Sequence, residues 1–346
     1  MRLFGRKSEP VEPAEAIAGF WTWWAETRPL IDGHVEAEDA EALAETIGPA
    51  VTALDPSLVW EIAPGTLARH ALVVSASGDP ELRSFAHRWA LAAPPADELW
   101  EFHPSRQANP RASELTVDVG GREFGLDRLV LGLRVPPGTP RVDVSAFHPI
   151  FPDIDDDTRM EATLLALDWL LGEDEVARWV GDIVAAEFEP IDAVPAVHLP
   201  AVVADVAGGF KDEQWALLEG QTANGGKLAA AARYPLRPVD HPLFDQHVAI
   251  TLPYANADAD GLPAGVSLGS LRDFEVNLTE RLGALGTAAL VAHLSAERSR
   301  VLHVYADPAG DAARAVRELA AAWKEGRATV EVADDPSWSA VAHFLT

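Results

Sequence analysis

Two histidines occupy the same tripeptide at the ends of two strand-like runs, in Phe102-His103-Pro104 and Phe147-His148-Pro149. Two imidazoles at one sheet edge could bind a metal ion or transfer protons, which makes His103 and His148 the candidate site. A zinc site needs a third ligand, and an acid/base pair needs a fixed carboxylate. Neither accompanies the pair in the sequence, so the competing interpretation is that each proline ends a strand.

A second candidate is the segment Gly265-Val266-Ser267-Leu268-Gly269, which matches the G-x-S-x-G pattern of a nucleophile elbow. Asp307 and His343 follow it in the order found in hydrolases. However, residues 260–264 form a proline-containing loop where the elbow requires a buried strand, which favours Ser267 as a helix cap. A hydrolase or metal-assisted enzyme using Ser267 or the histidine pair is therefore only the alternative hypothesis.

Two acidic segments resemble cation sites. Residues 256–261 resemble the first half of a calcium loop, but Ser267 stands where the bidentate glutamate is required. A second group of acidic residues lies before and at the start of a periodic helix, where negative charges interact favourably with the helix dipole. The group comprises Asp153, Asp155, Asp156, Asp157 and Glu161. No phosphate-binding glycine loop and no zinc-protease motif occurs. We therefore assign no catalytic, cofactor-binding or metal-binding residue and expect no cofactor.

The elements that must position these residues come from a chain of 346 residues, enough for two domains. It has no cysteine, which excludes disulfides, thiolate nucleophiles and cysteine-ligated zinc. With 54 acidic and 27 basic residues the net charge is −27, so nucleic acid is not an expected partner. No secretory signal and no apolar run of about 18 residues occurs, which predicts a cytoplasmic protein without a membrane partner.

Proline spacing predicts the domain division. Residues 1–9 form a predicted flexible tail, residues 10–188 a first domain, and residues 189–201, with three prolines, a linker. In residues 202–346, strand-like and helical runs alternate as β-α-β-β-α-β, the order of a ferredoxin-like fold, with an added terminal helix from Asp335-Pro336.

The first domain is predicted to have the α+β class, with two helices followed by a mainly antiparallel sheet. Its aromatic segment Phe20-Trp21-Thr22-Trp23-Trp24 shares a helical face with Ile17, which predicts core packing. Only Trp23 flanks that face and is a candidate for contact with a partner.

A family resemblance rests on several motifs in order along the C-terminal part. They are Trp215, Asp260-Gly261-Leu262-Pro263, a helix with Leu271, Asp273 and Leu282, then Leu302-His303-Val304-Tyr305, Asp335-Pro336-Ser337-Trp338 and Phe344-Leu345. Together they resemble the bacterial domain of unknown function 695, over roughly residues 212–346. The resemblance implies an uncharacterised domain, sometimes joined to one similar to the type B protein regulator of ribonuclease E, and brings no catalytic residues.

The leading hypothesis from the sequence is a non-catalytic binding or regulatory protein that acts on another protein or a small ligand. An enzyme is the second hypothesis. A third hypothesis makes the ferredoxin-like sheet the interface of a homodimer.

Overall fold

The computed structural model describes residues 12–210 and 214–345; the predicted tail at residues 1–9 lies outside this part. The chain has mixed α+β structure and divides into two compact units between Arg106 and Gln107. Among the described helices, none combines the length and apolarity needed to cross a membrane.

The first unit contains three helices and a three-stranded sheet. Its elements are α1 (Pro13–Glu36), α2 (Ala40–Leu54), β1 (Val59–Pro64), β2 (His70–Ser75), α3 (Pro80–Leu91) and β3 (Trp100–His103). The sheet order is β1-β2-β3, with an antiparallel first pair and a parallel second pair joined through α3. Phe20 and Trp24 are buried, as predicted, and Trp21 donates from Nε1 to the carbonyl of Trp89 over 3.0 Å. Trp23 is only partly buried and packs on Phe20.

The second unit begins with a hairpin, a four-stranded sheet and three helices. These are β4 (Thr116–Val119), β5 (Arg122–Gly125), β6 (Val130–Arg134), β7 (Val142–Phe147), α4 (Asp156–Leu171), α5 (Glu173–Trp179), β8 (Val180–Ala185), β9 (Val194–Pro195) and α6 (Leu199–Gly208). The sheet order is β8-β7-β6-β9, and the β7-β8 pair is parallel. The sequence predicted one mainly antiparallel sheet before residue 189; the structure instead has separate sheets, two of which contain a parallel pair.

The predicted linker at residues 189–201 falls inside the second unit. There Val194 and Pro195 pair with β6, and Ala196 and Leu199 are buried in the same core as β6 and α4. The division of the chain into domains at this segment stays a prediction.

The second unit continues with a six-stranded antiparallel sheet. Its elements are β10 (Gln214–Gln221), β11 (Lys227–Tyr234), β12 (Gln246–Pro253), α7 (Val266–Leu285), β13 (Ala288–Ala296), β14 (Ser299–Ala306), α8 (Ala312–Ala321) and β15 (Thr329–Asp334). The strand order is β10-β11-β13-β14-β12-β15. From β12 onward the elements follow one another as β-α-β-β-α-β.

Both faces of this sheet are covered. On one face α7 and α8 pack with Val248, Ile250, Leu302 and other apolar residues. On the opposite face, the C-terminal segment covers Tyr305 and two alanines of β11, Ala230 and Ala232. In place of the predicted terminal helix there is a 3-10 segment, Ser339–Phe344. A helix from Asp335 cannot pass through Trp338, whose φ is +58°, and Val341 inside the segment has non-helical backbone angles. Trp338, Val341 and Phe344 nevertheless point inward, as predicted.

Candidate functional site

His103 closes β3 in the first unit and is hydrogen bonded to a buried carboxylate. Its Nε2 lies 2.9 Å from Oε1 of Glu101, whose side chain is 4% exposed. The same carboxylate accepts from the backbone N–H groups of Thr66, Leu67 and Ala68 over 2.7, 2.7 and 2.9 Å. Burial of Glu101 raises its pKa, but these hydrogen bonds outweigh burial and lower the pKa to about 2. His103 therefore helps to hold a loop around an ionised glutamate.

His148 lies in the second unit and is fully buried. Its ring centroid is 4.6 Å from that of Phe124, and its Nδ1 accepts from the N–H of Ile150 over 3.3 Å. Burial lowers the pKa of His148, which favours the neutral ring. The two predicted site histidines thus belong to different units. Nε2 of His148 is buried and has no hydrogen-bond partner among the residues that the structure describes.

Ser267 is the second residue of α7 and is fully buried. Its hydroxyl donates to the carboxylate of Glu325 and accepts from the N–H of Asn256 over 2.9 Å. A nucleophile elbow requires an exposed hydroxyl beside a histidine base, and these contacts provide neither. His343 instead packs on Phe344, and Asp307 accepts from the N–H of Ala309. The hydrolase alternative finds no support in this geometry.

The acidic segments serve local structure. Asp155 caps α4 by accepting from the N–H of Thr158, as the sequence predicted for this group. Asp258 accepts from the N–H groups of Asp260 and Leu262, and Asp260 pairs with Lys227 over 2.6 Å. Within residues 12–210 and 214–345, no group of three or more histidine, aspartate or glutamate side chains is placed to hold a metal ion.

A different feature of the second unit has the properties of a binding site. The hairpin of β10 and β11 extends the sheet beyond β13, and α7 lies beside this extension on one face. Between them is a groove of about 460 Å³, a size typical of small-molecule sites. Its apolar lining consists of Trp215, Ala231, Val276 and Leu290. Trp215 is 39% exposed, so a large aromatic surface faces the opening.

The polar lining of the groove combines cations with a partly buried imidazole. Arg233, on β11, donates from Nε to the carbonyl of Leu290 over 2.7 Å. Arg272, on α7, is exposed and has no ion-pair partner within the described part of the chain. Glu275 is paired with Arg300, outside the lining, which neutralises one of the two glutamates in the groove. Arg272 is therefore the cation of the lining that an anionic group could pair with.

His293, on β13, lies at the base of the polar part. Its Nε2 is 3.9 Å from Oε2 of Glu275, and its ring centroid is 6.1 Å from that of Trp215. Burial lowers the pKa of His293. Of its charged neighbours, Glu275 raises this pKa and Arg300 lowers it. Its Nδ1 is buried and has no hydrogen-bond partner among the residues that the structure describes. An unsatisfied buried nitrogen is costly.

Sequence reasoning missed this groove because it missed the hairpin of β10 and β11. The run Leu228 to Ala232 is rich in alanine, whose intrinsic preference is helical, and here strand pairing overrides that preference. The available signal was Asn224-Gly225, the residue pair typical of tight hairpin turns. Nothing in the sequence indicated that Arg272 and His293 would face the same groove.

Comparison with known proteins assigns only the end of the chain. No curated protein and no solved structure matches it. The family resemblance expected over roughly residues 212–346 is shown over a shorter range, and Trp215 lies outside it. The hairpin of β10 and β11 therefore precedes the matched region, whereas α7 and β13 are within it. The C-terminal part of the chain, residues 236–346, matches the model of a family of unknown function, DUF695.

Proposed function

We propose that this chain is a non-catalytic binding protein whose groove beside α7 takes a small carboxylic acid with an aromatic or aliphatic body. The groove itself carries the proposal: an apolar strip with an exposed tryptophan lies next to Arg272, an exposed arginine that has no ion-pair partner among residues 12–210 and 214–345. Trp215 and Val276 would contact the apolar body, and Arg272 would pair with the carboxylate.

The chemistry of the lining residues supports binding over catalysis. None of them is a serine or a cysteine, and the only hydroxyl is that of Thr279, on exposed helix surface. His293 has no nucleophile as a partner, so it has no proton to remove for covalent catalysis. Its role in the proposal is to form part of the wall that the bound molecule contacts.

We also propose that residues from β12 to β15 form a ferredoxin-like fold to which β10 and β11 are added. The support is the strand order β13-β14-β12-β15, with both helices on one face and every pair antiparallel. The cytoplasmic location and bacterial origin expected from the sequence stay predictions.

The test is a thermal shift measurement with a panel of aromatic and aliphatic carboxylates, starting with 2-naphthoate. A ligand that binds only the folded chain stabilises it by about 2.7 kcal/mol at a hundredfold excess over its dissociation constant. We expect at least one carboxylate to raise the unfolding midpoint of the wild-type chain. The variant Val276→Trp should lose this shift, because the larger side chain fills the groove.

The matched control is Val266→Trp. Val266 lies on the same helix, is 75% exposed and does not line the groove, so this variant should keep the full shift. Failure of every carboxylate to shift the midpoint would refute the proposal, as would a shift that survives unchanged in Val276→Trp.

A further inference from the structure

The outer edge of the six-stranded sheet is formed by β10, an eight-residue strand that pairs on one side only. All eight residues are in regular antiparallel register with β11, without a bulge. Within the described part of the chain, no strand pairs with its other side. A long regular edge presents a row of free N–H and C=O groups, which can template pairing with another strand.

This edge lacks the features that commonly prevent such pairing. Strand β10 contains no proline and no lysine, and Glu219 is its only charged residue. Three of its exposed side chains are large and apolar: Trp215 is 39% exposed, Leu217 is 84% exposed and Leu218 is 41% exposed. At the opposite edge, the shorter β15 carries Glu331 and Asp334, both exposed. Acidic side chains on an edge strand oppose its pairing with another strand. The edge at β15 is therefore protected against association, whereas the edge at β10 is not.

The charge of the chain makes the low charge of β10 significant. A chain with a net charge of −27 repels another copy of itself over most approaches. Self-association therefore requires a surface on which few carboxylates meet, and β10 provides one. A second copy presents an edge of the same length and the same low charge, so the two edges can pair over all eight residues.

We propose that two copies of this chain associate through antiparallel pairing of their β10 strands, with Leu217 opposite Leu217 of the second copy. In this register Trp215 lies opposite Glu219 of the second copy, so the two glutamates do not face each other. Directly opposite residues lie on the same face of an antiparallel sheet. Since Trp215 and Leu217 lie on the face that bears the groove, both grooves then open on one face of a continuous sheet.

Sedimentation velocity of the full chain over a wide concentration range tests the association. We expect a monomer–dimer equilibrium for the wild-type chain that Leu217→Asp shifts to monomer, because two carboxylates would meet at the two-fold axis. The control Val266→Asp changes a similarly exposed apolar residue outside β10 and should dimerise like the wild type. A wild-type chain that stays monomeric at every concentration overturns the proposal, as does a dimer that persists unchanged in Leu217→Asp.

Cysteine cross-linking tests the register independently. Because the chain contains no cysteine, Leu217→Cys introduces a single thiol. Directly opposite residues in an antiparallel pair bring their Cβ atoms to about 4.5–5.5 Å, close enough for a disulfide after a small adjustment. We expect a covalent dimer of Leu217→Cys under oxidation and none of Val266→Cys. Equal cross-linking of the two variants would contradict the proposed register.

Discussion

Beside the predicted site residue His103, Glu101 has the larger structural role. The sequence indicated His103, whereas the structure places a nearly buried carboxylate next to it that accepts three backbone N–H groups. The alternation of residue types along β3 does not predict these hydrogen bonds, because the loop that supplies the N–H groups is more than thirty residues away in sequence. The predicted histidines could be placed on strands from the sequence, but their partners could not.

We expect Glu101→Gln to destabilise the first unit. The amide keeps the shape of the side chain but loses the charge that strengthens its hydrogen bonds, and its NH₂ group opposes backbone donors. The loss should be about 2 kcal/mol of unfolding free energy, measured by urea denaturation at neutral pH. Glu98→Gln, at an exposed neighbouring position, should change stability by less than about 0.5 kcal/mol. Equal effects of the two variants would contradict the role given to Glu101.

The paired histidines beneath the C-terminal segment make stability depend on pH. Nε2 of His247 lies 3.0 Å from Nδ1 of His303, and both residues are buried. Burial and the nearby His247, His343 and His293 lower the pKa of His303 from its ordinary 6.5 to about 4. The unfolded chain therefore binds a proton that the folded chain does not, between these two pH values.

The folding stability therefore increases with pH across this range. The stabilisation is present above pH 6.5 and is lost as the pH falls toward 4, by an amount on the order of 3 kcal/mol for a shift of this size. His303→Leu should remove this part of the pH dependence, whereas the exposed His198→Leu should leave it intact. Urea denaturation from pH 7 to pH 4 measures it, and an unchanged profile for His303→Leu would contradict the assignment.

Among the elements, those with strong periodicity were predicted well and those that depend on distant pairing were not. The apolar positions of α7 recur every three or four residues, and Leu271, Leu278 and Leu282 are all buried as that pattern requires. The polyalanine part of β11 carries no such signal, and only its pairing with β10 and β13 makes it a strand. The turn that joins β10 to β11 contains one residue with a positive φ.

That residue is Gly225, whose φ of +80° is a conformation that favours glycine. We expect Gly225→Ala to lower the unfolding free energy by about 1–2 kcal/mol, the cost of a left-handed residue with a side chain. Gly283, inside α7, has no neighbouring atom within 4 Å of an added Cβ. There alanine should raise stability by about 0.5–1 kcal/mol through its helix propensity. Thermal denaturation of both variants checks the two opposite signs, and changes of the same sign would contradict the account.

Across the chain, composition determined what could be excluded and the tertiary structure determined what could be proposed. A net charge of −27 made nucleic acid an unexpected partner, but it could not show that three arginines gather at and beside one groove. In the proposed dimer, the low charge of the edge strand β10 limits the repulsion that this net charge causes between two copies. The family match begins at residue 236, just after the added hairpin ends, so the groove combines residues of the matched region with strands outside it.

The central claim is that this groove binds a carboxylate with an apolar body, and calorimetric titration of 2-naphthoate into the full chain tests it most directly. We predict one binding event per chain, weakened about tenfold by Arg272→Ala, which corresponds to about 1.4 kcal/mol. Binding should be abolished by Val276→Trp and unchanged by Val266→Trp. The absence of binding heat with the wild-type chain over the full range of 2-naphthoate solubility, or equal affinities for the wild type and Val276→Trp, would contradict the claim.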